Sequence, residues 1–432
     1  MANYSYVKTS SQTVENEYYI PIDESVSGII FDIGGVLNGN AVFDNYSVAK
    51  SNFANNKVQK VKNLQEAVSL GVTQNGILNG IAYYHIKEYY NYYGESKDLY
   101  IMFADVYGSS VDDSPFEEMM LQSEGNVFQV GVWTTNGVLT NDADGSLIFN
   151  NYLRNINAQL NMLNGSADQP SGYPSGLNAI VTGGLWVAED PTQEINYKNL
   201  PDCTDIGLQR VSLLIGQDSY SSVKSLRTST INNIGLIGIA MACLSSCYAE
   251  ESIAYVGKFN LNKNDSFAGI EIPVGTDDIS IDDINTIQIE RLGRKGYIFP
   301  LKLEAKEGGL YFSSESTMTD DNFRSISFLR LKHKLKRVIK RTLTPQINGV
   351  AMYDKQINKL SDSTVTIFTN WIRDAIDLYM INADGQSQLS AYALNIPNEQ
   401  SNLENGEMQI NLSFVTLENQ EVIDFVESYN VN

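Results

Sequence analysis

The chain alternates short apolar runs of β-forming residues with segments of helical spacing, and this rhythm limits it to folds in which helices cover a mostly parallel sheet. From Gly28 the run GIIFDIGGVL has the composition of a buried strand ending at Gly34-Gly35, and KVQKVKNLQEAVSLG continues as strand then helix. NGIAYYHIKEYYNYYG sets Ile81, Tyr84, His85, Glu88 and Tyr89 at turn spacing, which predicts a helix. DLYIMFADV and GNVFQVGVWTTN follow as strands, SLIFNNYLRNINAQLNML as a helix, and LNAIVTGGLW and VSLLIGQD as strands. The expected unit is an α/β domain over residues 28–250.

Past residue 250 the texture changes. IDDINTIQIERLGRKGYIFPLKLEAKEGGLYFSSESTMT predicts a short helix and then strands joined by turns at Arg294 to Gly296 and at Gly308-Gly309. FRSISFLRLKHKLKRVIKRTLTP predicts a long helix with Leu331, Leu335, Val338 and Ile339 as its apolar stripe, stopped by Pro345, and a second helix is expected from Ser363 to Ala383. Near the end, GEMQINLSFVTL alternates strictly: Met408, Ile410, Leu412 and Phe414 face one way, and Gln409, Asn411 and Ser413 the other. Close to the start, Tyr18, Ile20 and Ile22 alternate in the same way against Tyr19, Pro21 and Asp23. A strand at a terminus leaves backbone donors and acceptors to be paired, so both are expected to be arms that augment another sheet. The expected organisation is an N-terminal arm over 1–27, the α/β domain over 28–250, an α+β core domain over 251–404 and a C-terminal strand arm over 405–432. Within that last segment, NQEVIDFVESYN predicts a short amphipathic helix or a continuation of the arm.

With 51 acidic and 30 basic side chains the net charge is −21, a balance that repels phosphate backbones and argues against nucleic acid as a partner. The basic residues are unevenly spread. Arg330, Lys332, Lys334, Lys336, Arg337, Lys340 and Arg341 place seven of the thirty in one predicted helix, flanking its apolar stripe as two tracks. Such a face is either solvated or a docking surface for an acidic partner, with Arg330, Lys334, Arg337, Lys340 and Arg341 as the candidate docking residues. The two histidines, His85 and His333, have no companions that would make a zinc centre or a nucleophile relay. Cys203, Cys243 and Cys247 form no paired framework, which fits a reducing cytoplasm. No metal and no cofactor is expected. The start MANYSYVKTSSQ lacks the pattern of a signal peptide, and the longest apolar run, Ile234 to Leu244, is well short of the ~20 residues of a membrane helix.

GIIFDIGGVL resembles the first motif of the haloacid dehalogenase superfamily, in which an aspartate after an apolar strand is a covalent nucleophile. That resemblance implies a phosphohydrolase with Asp32 as nucleophile and Thr134 or Thr135, in GVWTTN, as its second-motif threonine. Such enzymes also need a late acidic pair at a strand end to hold magnesium. The pairs Asp112-Asp113, Asp277-Asp278, Asp282-Asp283 and Asp320-Asp321 follow turn-like or helix-start sequence instead. The structural alternative is a buried strand with a glycine turn. NDADGS resembles part of an EF-hand loop, yet the register that seats Gly145 leaves Thr140 and Asn151 at ligand positions, so an Asp-Gly turn is expected. Cys243 and Cys247 share a helix face without further thiols or imidazoles, as core residues do, and no P-loop is present.

Taken in order, the segments resemble the contractile tail sheath proteins of bacteriophages and contractile injection systems. The resemblance is carried by KVQKVKNLQEAVSLGV, AYYHIKEYYNYYG and DLYIMFADV near the start, and by IDDINTIQIERLGRKGYIFPLK and ESTMTDDNFRSISFLRLKHKLKRVIKRTL later. FTNWIRDAIDLYMINADGQSQLSAYAL and GEMQINLSFVTLENQEVIDFV complete it, so that it covers most of 57–105 and 280–432. It implies a subunit without catalytic residues that stacks with copies of itself in rings, hexameric by analogy, around an inner tube protein, between baseplate and terminator proteins. It implies assembly in a bacterial cytoplasm, a place in a virion tail or injection particle, and terminal arms at Tyr18, Ile20, Ile22 and at Met408, Ile410, Leu412, Phe414. On this resemblance the basic helix faces the tube or another subunit.

Overall fold

The computed structural model describes residues 24–33, 51–55, 57–106, 114–164, 177–187, 197–228, 231, 233–262, 269–274, 277–303, 309–321, 324–343, 345, 353–354, 359–381, 387–400, 407–416 and 422–430. The chain divides into two compact units. One comprises residues 23–163 and 177–329, and the described residues of the other are Asn164 and those from Arg330 onward.

In chain order the strands of the first unit's main sheet are β1 (Ser27–Asp32), β2 (Gln59–Val61), β3 (Leu99–Ala104), β4 (Gln129–Asn141), β5 (Leu147–Phe149), β6 (Asn178–Val187), β7 (Val211–Leu214), β8 (Gln217–Asp218), β9 (Ile270–Val274) and β10 (Asp277–Ser280). They lie in the order β10-β9-β6-β4-β1-β3-β2, with β5 on β4, β7 on β6 and β8 on β9. β1 runs parallel to β3 and to β4, and β6 runs parallel to β4 and β7, whereas β2, β5, β8 and β10 pair antiparallel at the margins. Every residue of β1 and β3 is buried, as expected of parallel strands covered on both faces.

Helices α1 (Leu64–Ser69), α2 (Ile77–Tyr93), α3 (Pro115–Gln122), α4 (Asn151–Asn164), α5 (Ser221–Lys224) and α6 (Ile237–Ser246) connect or cover these strands. Their starts follow from capping chemistry. Asn63 accepts from the Glu66 N–H ahead of α1, and Ser114 caps α3 with Pro115 in its first turn. α6 is apolar on all sides and buried from Ile237 to Ser245. It packs on α2 so closely that a Cβ at Gly238 would lie 2.2 Å from the His85 carbonyl oxygen. The His85 ring spans the same contact, with Nε2 2.8 Å from the Ile234 carbonyl and Nδ1 accepting from Gly238 N–H at 3.4 Å. Burial lowers its pKa to about 3, so the ring is neutral and joins two helices.

The first unit continues through α7 (Thr286–Arg294) and the hairpin β11 (Pro300–Leu303) and β12 (Gly309–Phe312) to α8 (Ile326–Leu343). The division between units falls inside α8, after Leu329. The expected boundary at residue 250 is therefore displaced: β8, β9 and β10 extend the sheet of β6, so the change of texture there is not a change of unit. The segment expected as one helix from Ser146 starts as β5, because Leu147 to Phe149 pair back on Leu139 to Asn141 across the Asp142 to Gly145 turn.

In the second unit β13 (Tyr353–Asp354) pairs with β14 (Lys359–Leu360), and α9 (Asp362–Ile376) runs on through a π-helical turn, Asp377–Ile381. Thr364, Phe368, Ile372, Ile376 and Met380 recur every four residues and form its buried face. The unit ends in a three-stranded antiparallel sheet of β15 (Leu389–Asn395), β16 (Glu407–Thr416) and β17 (Val422–Asn430), with β16 in the middle.

Because backbone faces the missing Cβ at Gly238, a side chain there cannot be accommodated by a rotamer change. Gly238→Ala is expected to destabilise the first unit by about 3 kcal/mol in urea titration, at the upper end of over-packing costs.

Candidate functional site

In an open α/β sheet the place for a ligand is the crevice at the carboxyl ends of the strands where the strand order reverses. Here the chain passes from β1 to β3 on one side and then to β4 on the other, so that place lies at the ends of β1 and β4, where Asp32 stands opposite Thr134. The crevice is filled. Thr134 Oγ1 donates to Asp32 Oδ2 at 3.0 Å, the Tyr152 hydroxyl from α4 donates to the same oxygen at 2.6 Å, and Val106 N–H donates to Oδ1 at 3.1 Å. Asp32, Thr134 and Tyr152 are all buried. Burial and the neighbouring Asp32 carboxylate hold the Tyr152 hydroxyl far above its usual pKa, so it remains a donor.

A nucleophile needs an open line of attack, and this carboxylate has none. Thr135 is half-buried beside it. Gly34 and Gly35 lie outside the described residues. The phosphohydrolase reading is thereby replaced by its alternative: Asp32 ties β1 to β4, to the residues after β3 and to α4. Among the described residues no cluster of three or more His, Cys, Asp or Glu is arranged to hold a metal ion. The Asp142 to Gly145 segment is a turn in which Asp142 and Asp144 accept from the N–H groups of Ala143 and Ser146. Cys203, Cys243 and Cys247 are buried and form no disulfide.

A second buried polar group has no signature in the sequence because its members are 183 positions apart at the extremes, Glu88 on α2, Asp218 on β8 and Glu271 on β9. Glu271 is compensated by Lys224 at 2.6 Å, Arg227 at 3.6 Å and the Gln217 amide at 2.7 Å. Among the described residues Asp218 receives Tyr220 N–H at 3.0 Å and a long 3.4 Å bond from Tyr84. Burial, with Glu271 nearby, raises its pKa to about 6, and burial raises Glu88 as well, against the pull of Lys87 at 3.7 Å.

The basic helix is placed differently from expectation. On α8, Arg330 is 3% exposed, Lys334 7% and Arg337 1%, while Lys340 and Arg341 are half-buried. Each has an interaction partner, and Arg341 lies over the Tyr379 ring with its guanidinium carbon 5.5 Å from the centroid. Arg330, Lys334 and Arg337 therefore do not form a free docking face. The apolar stripe of α8 is packed, and its flanking side chains are drawn in with it.

Met408, Ile410, Leu412 and Phe414 have the predicted alternation and are all buried. Their strand is not an unpaired arm within this chain: β16 is bonded on one side to β15, with Leu412 opposite Leu394, and on the other to β17, with Leu412 opposite Phe425. The segment expected as helix or arm, Asn419 onward, supplies the strand β17. Among the described residues no strand lies beyond the outer edges of β15 and β17. Tyr18, Ile20 and Ile22 lie outside the described residues.

No family model and no curated protein sequence matches the chain. Solved structures do. The helical sheath of the anti-feeding prophage in its contracted state aligns with a TM-score of 0.54 and 14% identity, over 96% of this chain and 98% of that one. The sheath tail protein of Listeria innocua aligns at 0.53 with 6% identity, over 98% and 96%, and that of Desulfitobacterium hafniense at 0.51 with 8% identity, over 98% and 100%. The chain has the fold of contractile sheath proteins. Among the described residues, the outer edges of the C-terminal sheet lie on β15 and β17 rather than on β16.

Two measurements check the buried acids. Asp32→Asn replaces an acceptor by an amide that meets donors, and it is expected to cost about 2–4 kcal/mol in urea titration. Asp218 has a folded pKa above its unfolded one, so the folded state gains stability as pH falls through about 6 toward 4 and loses it again above. Asp218→Asn is accordingly expected to be more stable than the parent at pH 7.5, by about 1–2 kcal/mol, with that advantage gone near pH 4.

Proposed function

We propose that the chain is the structural subunit of a contractile sheath: copies stack as rings around an inner tube, and the assembly shortens and widens to drive the tube through a target envelope. The observation that carries this reading is the alignment of nearly the whole chain, 96% of it, with a sheath subunit that is itself seen in a helical, contracted assembly. Two further features support it. Among the described residues no further strand pairs with the outer edges of β15 and β17, the arrangement that augmentation requires. The buried carboxylate of Asp32 offers no chemistry to a substrate, and the subunit acts as a building block without an active site.

Self-association is the primary partnership, in rings that are hexameric by analogy with sheaths, with the inner tube, baseplate and terminator proteins as the other partners. The particle is put together in a bacterial cytoplasm and works as a virion tail or injection particle. Tyr18, Ile20 and Ile22 serve as the N-terminal arm that pairs with a neighbour's C-terminal sheet. Contraction then draws on the lattice: the extended form is held short of its most favourable inter-subunit contacts, and the arms keep chains linked while one set of surfaces replaces another.

Removing Glu407 onward would take out the buried Met408, Ile410, Leu412 and Phe414, so the informative truncation is a shorter one. A chain ending before Val422 is expected to keep its circular dichroism spectrum and to remain in the supernatant under conditions in which the intact chain sediments as polymer. Sedimentation of the truncated chain at the parent level removes the arms from the reading.

A further inference from the structure

Among the described residues the two most exposed large hydrophobic side chains are Ile287, at 62%, on α7 and Leu378, at 59%, at the end of α9. Neither stands alone. Along α9 and its π-helical turn, Ile367, Trp371, Asp374 and Leu378 follow one another at intervals of four, three and four, all of them exposed, along one flank of the buried face of Thr364, Phe368, Ile372 and Ile376, with the Trp371 ring edge-on to Phe368 at 5.3 Å. That side is an apolar stripe with a carboxylate set in it and a tryptophan at its centre, the residue type most often found at the energetic centre of interfaces. Asp362 and Asp377 make the element acidic against a single base, Arg373.

On α7 the same spacing gives Ile287, Arg291 and Arg294: an exposed apolar residue followed by two guanidiniums, with Glu290 beside them 3.6 Å from Arg294. Arg294 is 83% exposed in its side chain, so most of its charge is turned to solvent. In a chain of net charge −21, an exposed helix with more bases than acids is uncommon, and its pattern is the complement of the stripe on α9.

We propose that the α9 stripe of one copy docks on the α7 face of the next copy, with Trp371 and Leu378 against Ile287, and Asp374 facing Arg291 and Arg294. This contact rests on the sheath reading and gives it a specific surface. The two patches differ, so the contact is heterologous, and repetition of a heterologous contact builds a ring or an open helix rather than a closed pair. Three turns of helix against three turns bury well under the roughly 1,200–2,000 Å² of a stable two-body interface. One contact is therefore weak, and it holds only where many are made at once with the strand arms.

Thiol cross-linking of the assembled protein tests this, because the native cysteines Cys203, Cys243 and Cys247 are buried and give little background. Full-length chains carrying Ile287→Cys, Trp371→Cys or both are treated with a short bifunctional maleimide. The doubly substituted chain is expected to give a ladder of covalent oligomers, a mixture of the single variants a dimer, and each single variant only monomer. A dimer of Ile287→Cys with itself, as strong as that of the mixture, shows a symmetric contact and overturns the proposal, as does the absence of a ladder from protein that sediments as polymer. Failure of the parent chain to polymerise removes the sheath reading, and the contact with it. Charge reversal gives an independent arm: Asp374→Arg is expected to lower the sedimenting fraction about threefold or more, and Arg294→Glu in the same chain to restore it. Equal loss in the double variant contradicts the pairing.

Discussion

The first unit is organised around a carboxylate held out of water. Asp32 ends the strand that stands between β3 and β4, and its two oxygens collect hydrogen bonds from β4, from the segment after β3 and from the tyrosine of α4. An ionised group in such a place is tolerable only when fully hydrogen-bonded, and the three donors meet that condition while fixing the ends of three parallel strands and one helix. The same contacts fill the crevice in which open α/β sheets bind ligands. What would be the reactive corner of an enzyme is here a clasp, and on the sheet behind it α2 and α6 make the close contact at Gly238.

Much of this is legible in the sequence, and the physical reason is periodicity. Buried parallel strands such as β1 and β3 are apolar runs, the helices between them have turn-spaced apolar residues, and β16 alternates residue by residue. What periodicity does not give is the partner. Met408 to Phe414 is recognisable as a strand but not as the middle of a sheet, because the strands on either side begin at Leu389 and at Val422, beyond the reach of any local pattern. The basic residues of α8 have the spacing of a surface, yet Arg330, Lys334 and Arg337 are buried; the number of charges in a segment says nothing about what packs over their stems. The motif around Asp32 is compatible with a nucleophile and with a strand end, and only Tyr152, 120 positions away, separates the two.

On the proposed reading as a sheath subunit, the chain divides its labour by unit. The first unit has sheet margins formed by short strands such as β2 and β10, which limit unwanted pairing. The second carries the edges of β15 and β17 and the exposed stripe on α9. On that reading the mechanical work lies between copies, where weak contacts of complementary charge and shape would add up over a lattice and be exchanged together.

The central claim is that this chain by itself contains the information to polymerise. Negative-stain electron microscopy of the purified full-length protein, without nucleotide or added metal and over a range of salt concentrations, tests it most directly. The account predicts rings or striated tubes built of repeating subunits; monodisperse single chains at every salt concentration would contradict it.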